Sequence, residues 1–334
     1  MKLIALLSLL LVSASPVMAE DRELRIATLA PGGSPWVQIL EKAAAEITQK
    51  TDGRVKIKYF TGGQQGDERD YIRKIKLGQI DGAAITTMGL SMIEPSILVL
   101  QQPMLFETAE EVDYVAGKMW PYFQKKFEAK GYRLAERGEL GWVHLLSKSK
   151  VTSMADLRKL TLCSVNADFG TTIVDKLGIN AVPLSVPEVD PALTSGKIDA
   201  CLNSPLGAIA LQWHTKVKFM AKKPLVFAIG ATVMSLDAIK RISVDDRKTI
   251  DMIAKGSQKK ARAVIRKANA DALKTLERKG VQIVDVPDAM VQELMTIGRD
   301  VQKELEGKLF TSEELATVIK HRDDYRAAHA SSSK

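Results

Sequence analysis

The chain has 334 residues, 46% hydrophobic, 26% charged and 5% aromatic, a composition that excludes collagen-like, mucin-like and wholly disordered classes. Its length exceeds what one compact core usually supports, so two lobes are expected. The formal charge of +8 is spread thinly, and basic runs such as Lys259-Lys260-Ala261-Arg262 lack interleaved aromatic residues, which argues against a nucleic-acid partner.

Residues 1–19 (MKLIALLSLLLVSASPVMA) combine an early lysine, an apolar run and a small-residue Val17-Met18-Ala19 end. That pattern predicts an export signal cleaved after Ala19 and a periplasmic mature protein. Pro16 ends the apolar run well short of the roughly 20 residues that a bilayer span needs.

Residues 24–29 (LRIATL) then predict a strand, and Pro31-Gly32-Gly33-Ser34-Pro35 a loop leading into a helix capped by Ser34. Val37, Leu40, Ala44 and Ile47 recur at helical spacing until Asp52-Gly53. Alternation over 55–60 predicts a second strand, 67–77 a helix and 80–86 a third strand. This spacing implies parallel βαβ units, whose ligands gather beyond the carboxyl ends of the strands. Segments 132–137 and 141–147 read as two connecting strands. A second unit follows, with strands at 160–165, 181–184 and 198–202 and helices at 169–177 and 187–193.

From Asp245 to Lys279 no proline occurs and an alanine-rich apolar stripe recurs every three or four residues. One long helix, a strut across both lobes, is expected there. A strand at 281–284 and a single final helix after Pro287 complete the chain. The expected fold is α/β and two-lobed, with an interlobe cleft and a long helix spanning both lobes. Its boundaries are 1–19 for the signal, 20–140 for lobe I with a return near 230–260, and 141–229 for lobe II with a return near 261–327. A disordered tail is expected over 328–334.

Chemistry-bearing motifs are sparse. GxSxG, GxGxxG, Walker and HExxH patterns are absent from the sequence, and its four histidines and two cysteines form no close cluster. No cofactor, metal or enzymatic activity is expected. The remaining catalytic alternative is an exported enzyme pairing Cys163 with His144. Cys163 and Cys201 fall in neighbouring predicted strands, where either a disulfide or two buried thiols would fit an oxidising compartment.

Several motifs occur in order: Leu29-Ala30-Pro31, TDGRVKI at 51–57, FTGGQQG at 60–66, GQID at 78–81 and QPMLF at 102–106. They continue with MADLRKL at 154–160, NAVPL at 180–184, GKID at 196–199, and Asn203 with Pro205. The chain thereby resembles the solute-binding receptors of tripartite ATP-independent periplasmic (TRAP) transporters, the DctP type. The resemblance implies a receptor that closes on a small molecule and delivers it to an inner-membrane permease.

Such receptors usually carry a carboxylate-clamping arginine in the strand after the Asp-Leu-x-Gly-Leu motif. That position is Cys163 here, and a second, less constant arginine position falls on Val143. Burying a carboxylate without its cation is costly. The expected ligand is therefore neutral or hydrophobic, in a cleft formed by Trp36, Gln65, Trp142, Val143, Cys163, Phe169, Cys201 and Asn203. The alternative is an organic acid held by a non-standard arginine. Arg69, Arg73, Arg133 and Arg137 are the candidates, and Arg137 is preferred because it lies near a predicted strand end.

Overall fold

The computed structural model describes residues 22–164 and 167–330. The predicted export signal lies outside the described residues, as does the tail beyond Ala330. In chain order, β1 (Arg22–Thr28), α1 (Pro35–Lys50), β2 (Val55–Phe60), α2 (Glu68–Lys76), β3 (Gly82–Thr86) and α3 (Thr87–Ser91) open the first lobe. A 3-10 segment (Pro95–Gln101) and α4 (Ala109–Ala129) lead to β4 (Tyr132–Ser147). The second lobe holds α5 (Met154–Leu157), β5 (Thr161–Ser164), α6 (Ala167–Leu177), β6 (Asn180–Pro183), α7 (Val186–Ser195), β7 (Ala200–Asn203), α8 (Pro205–Ala210) and β8 (Phe219–Ala221). The return path is β9 (Val226–Ser235), α9 (Leu236–Lys240), α10 (Val244–Arg278), β10 (Gln282–Val284), α11 (Asp288–Leu305) and α12 (Ser312–His329).

Local chemistry explains the starts of these helices. The Ser34 hydroxyl accepts from the Val37 amide with Pro35 in the first turn, and Asp67 and Asp70 form a reciprocal capping box on α2. Ser243 caps α10 by accepting from the Asp246 amide at 3.1 Å.

The strands run in the order β2-β1-β3-β9-β4-β7-β5-β6. β1 pairs in parallel with β2 and β3, and β5 pairs in parallel with β6 and β7. Between these halves, antiparallel β9 and β4 cross from one lobe to the other. The two connecting strands expected at 132–137 and 141–147 are one strand of 16 residues, with register shifts between Leu134 and Arg137 and between Glu139 and Gly141. Such irregularities bend a strand and re-aim its side chains, and the intervening Gly138 imitates a break in sequence.

The 35-residue α10 spans the predicted strut, and at about 1.5 Å per residue it is about 50 Å long. Ile250 and Ile253 join the apolar cluster under β1, whereas Leu276 joins that under β5 and β7. One helix thus packs into both lobes. The single expected final helix is two, α11 and α12, separated by Gly307 with φ 77°. The expected return of 261–327 to lobe II is also divided: α11 packs on α6, but α12 packs on α4 of the first lobe. Lys126 reaches Glu314 at 2.8 Å and Arg326 reaches Glu111 at 2.7 Å, clasping α12 to α4. Helix α12 continues to His329, past the start of the expected tail.

Candidate functional site

The carboxyl ends of β1, β3, β5 and β7 converge on a cavity of about 500 Å3 between the lobes, with the β4–β9 crossing on one side and α10 on another. This is the place where parallel strand ends and their loops leave a crevice. Its volume lies within the roughly 300–1,000 Å3 of small-molecule sites.

Six of the nine predicted ligand residues line this cavity: Trp36, Arg137, Val143, Cys163, Phe169 and Asn203. Trp36, from the first turn of α1, donates its indole N–H to the Glu139 carbonyl at 3.1 Å and so joins that helix to the crossing strand. Asn203 ends β7, and its Oδ1 accepts from the Ser204 amide at 2.8 Å. Gly207 makes that pose possible, because a Cβ there would lie 2.0 Å from the same oxygen.

The other three lie elsewhere. Gln65 turns to Lys74, whose ammonium donates to its side-chain oxygen at 2.9 Å. Trp142 packs edge-on against Phe227 with centroids 5.0 Å apart, as alternation along β4 sends it to the face opposite Val143. Cys201 is buried in the core beneath β7. Both cysteines are free thiols. Burial, with a smaller contribution from Glu188, pushes the Cys163 thiol up to about 11, and burial raises that of Cys201 as well. A thiol so protonated is a poor nucleophile. His144 directs its Nδ1 to the Ala221 carbonyl at 2.9 Å, and burial lowers its pKa.

Arg137 is the buried cation of the cavity wall, with its side chain 3% exposed. One terminal nitrogen, Nη2, donates to Asp113 on α4, while Nη1 is buried and meets no hydrogen-bond acceptor among the described residues. Burial pushes this guanidinium down from its usual range, against the pull of Asp113, but an arginine stays charged. Asp113 is heavily shared: Arg266 reaches it at 2.8 Å and Arg262 at 3.4 Å. Arg266 also holds Glu139, a fully enclosed carboxylate, at 3.0 Å. Burial raises the Glu139 pKa and Arg266 opposes that shift.

Gln258, Arg262, Arg266 and Asn269 follow one face of α10 and meet the crossing strand in succession. Asn269 donates to the Leu140 carbonyl at 2.9 Å and accepts from the Leu206 amide at 3.1 Å, bridging the crossing strand to α8 of the second lobe. The remaining acids of the wall already have donors. Glu68 accepts from the Thr86 amide at 2.6 Å, and Glu136 from Gln258 at 3.2 Å. Of the other arginine candidates, Arg69 is exposed at the cavity, whereas Arg73 pairs with Asp70 and Arg133 with Asp251.

A profile of the bacterial extracellular solute-binding proteins of family 7, DctP, matches residues 26–308. The chain belongs to this family. A solute-binding protein of Roseobacter denitrificans is 25% identical over 286 residues, covering 84% of this chain and 86% of its own. The sugar acid-binding protein DctPAm of Advenella mimigardefordensis, solved with galactonate, superposes with a TM-score of 0.87 at 20% identity over 91% of this chain and 99% of its own. A TRAP periplasmic solute-binding protein of Desulfovibrio salexigens, solved with orotic acid, gives 0.84 at 18% identity over 92% and 99%. This receptor is accordingly a periplasmic, non-catalytic transport protein.

Two findings overturn the expected neutral or hydrophobic ligand. Solved relatives of the same fold hold organic acids although this receptor has Cys163 at the usual arginine position. Its cavity also contains a buried guanidinium from a different strand position. The neutral-ligand expectation rested on the two usual arginine positions; Arg137, the arginine preferred under the organic-acid alternative, is the one that lines the cavity, beyond the register shift after Leu134.

Proposed function

We propose that this receptor captures an organic acid in its interlobe cavity and delivers it to an inner-membrane permease. The observation that carries the reading is Arg137, a residue of the cavity lining whose charged Nη1 is buried and meets no acceptor among the described residues. An orphaned buried donor is unfavourable, and a carboxylate seated there would complete it with a charge-assisted bond. The acids held by the Advenella and Desulfovibrio relatives support the same class. Trp36, Val143, Cys163, Phe169 and Asn203 would surround the remainder of the molecule. The mature receptor would begin after Ala19.

The β4 and β9 crossings, with Asn269 bridging them to α8, would serve as the hinge on which the lobes close. Ligand shifts that equilibrium only through contacts it gains in the closed form.

Calorimetry with a panel of organic acids tests the reading. Native protein is expected to bind at least one acid, and Arg137→Gln to weaken it about 100-fold, in line with loss of a desolvated charge pair. An unchanged affinity in a folded Arg137→Gln protein would remove Arg137 as the anchor.

A further inference from the structure

Resting on the organic-acid reading above, we propose that the ligand is a monocarboxylate whose remaining body is hydrocarbon, rather than a sugar acid or a dicarboxylate. The cavity lining includes Leu162, Cys163, Phe169, Leu184, Val186 and Leu202, side chains that offer contact area and no strong hydrogen bonds. Several polar side chains at the cavity are spent within the protein. The Thr86 hydroxyl donates to Glu68 at 2.9 Å, that of Ser185 to Glu188 at 2.7 Å, and that of Ser257 to the Ile253 carbonyl at 2.8 Å. The Gln258 amide donates to Glu136 and to the Arg137 carbonyl. The Asn203 oxygen is held by a backbone amide.

A polyol in this cavity would give up its water partners at several hydroxyl groups and recover few of them. A second carboxylate is no better served. Arg262 is already ion-paired with Asp113 at 3.4 Å, and Arg69 is exposed, where a cation attracts only weakly. A buried guanidinium with an unmet donor and a largely apolar lining therefore favour one anionic end and one apolar end.

The test is a calorimetric series on the native protein with propionate, butyrate, pentanoate and hexanoate, accompanied by galacturonate, succinate and 1-hexanol. Affinity should rise about threefold to fourfold per methylene, the increment for burying one CH2 group. Galacturonate and succinate should bind at least about tenfold more weakly than hexanoate. Hexanol, with the same body and no charge, should lose at least about 30-fold. A flat series in which galacturonate or succinate binds more tightly, and loses that binding in Arg137→Gln, overturns the hydrocarbon body and leaves the organic-acid reading standing. Hexanol binding as tightly as hexanoate, or no carboxylate binding below about 1 mM, overturns both.

Discussion

Strands β4 and β5 face the same cavity with opposite chemistry. β4 supplies a buried guanidinium and a buried carboxylate, Arg137 and Glu139, each tied to side chains from α4 or α10. β5 supplies Leu162 and Cys163, both buried and apolar in behaviour. The contrast follows from what packs behind each strand. Behind β4 stand Asp113, Arg262 and Arg266, so a charge there has partners. Cys163 is instead clustered with Leu184, Val189 and Cys201, and the acid that acts on it, Glu188, is exposed and already capping Ser185. A charged binding group is tolerated where its supporting shell exists, which need not be the same strand in every relative.

The strongest way to break this contrast is to place the usual arginine back on β5. Cys163→Arg should destabilise the fold by about 3 kcal/mol in denaturant unfolding, because the new guanidinium is buried with only the exposed Glu188 for a counter-charge. A variant as stable as the native chain would show that β5 can host a cation after all, and the difference from β4 would lose its explanation.

The crossing strand itself offers the next test. Gly141 has φ 106°, and a Cβ there would lie 2.7 Å from the Asn269 amide nitrogen that anchors Leu140. Gly141→Ala should cost about 2 kcal/mol through backbone strain and a displaced Asn269. A Tm unchanged from the native value would mean that this register shift is not a fixed feature of β4.

Acid unfolding sharpens the comparison by separating the cavity from the clasp between α4 and α12. Burial would raise the Glu314 carboxyl, but hydrogen bonds from Lys126, the Thr311 amide and Tyr122 hold it down at about 2. A depressed carboxylate pKa stabilises fully above its unfolded value, about 4.3, and that contribution drains away as the pH falls towards 2. The expected loss over this window is about 1.5 kcal/mol, reduced from the full linkage value because Lys126 is partly exposed. Glu314→Gln should be less stable near neutral pH and should lose that part of the acid dependence. An identical acid profile in both proteins would place the titration elsewhere.

The periodic elements were legible in sequence because their signals are local. Ser34 with Pro35, the helical segment over 67–77, and the proline-free stretch over 245–279 each report on a few neighbouring residues, and the structure places helices at all three. Errors arose where meaning depended on distance. Gly138 and Gly141 read as a break between two strands, yet pairing with β9 holds one bent strand through both. Trp142 and Val143 are adjacent, and pleating alone sends one to the core and the other to the cavity. Gln65 carried a family motif, but Lys74 captures its side chain.

The sequence by itself determined an α/β chain of two lobes, a long strut helix and a family membership carried by ordered motifs. It also marked Arg137 as the preferred substitute cation, without placing its partners. Tertiary structure alone decided that Asp113, 24 positions earlier, takes one of its terminal nitrogens and leaves the other buried and unmet. Helical and strand periodicities are short-range properties written into neighbouring residues. The value of a buried charge depends on groups brought together from α4, β4 and α10, whose meeting no local pattern records.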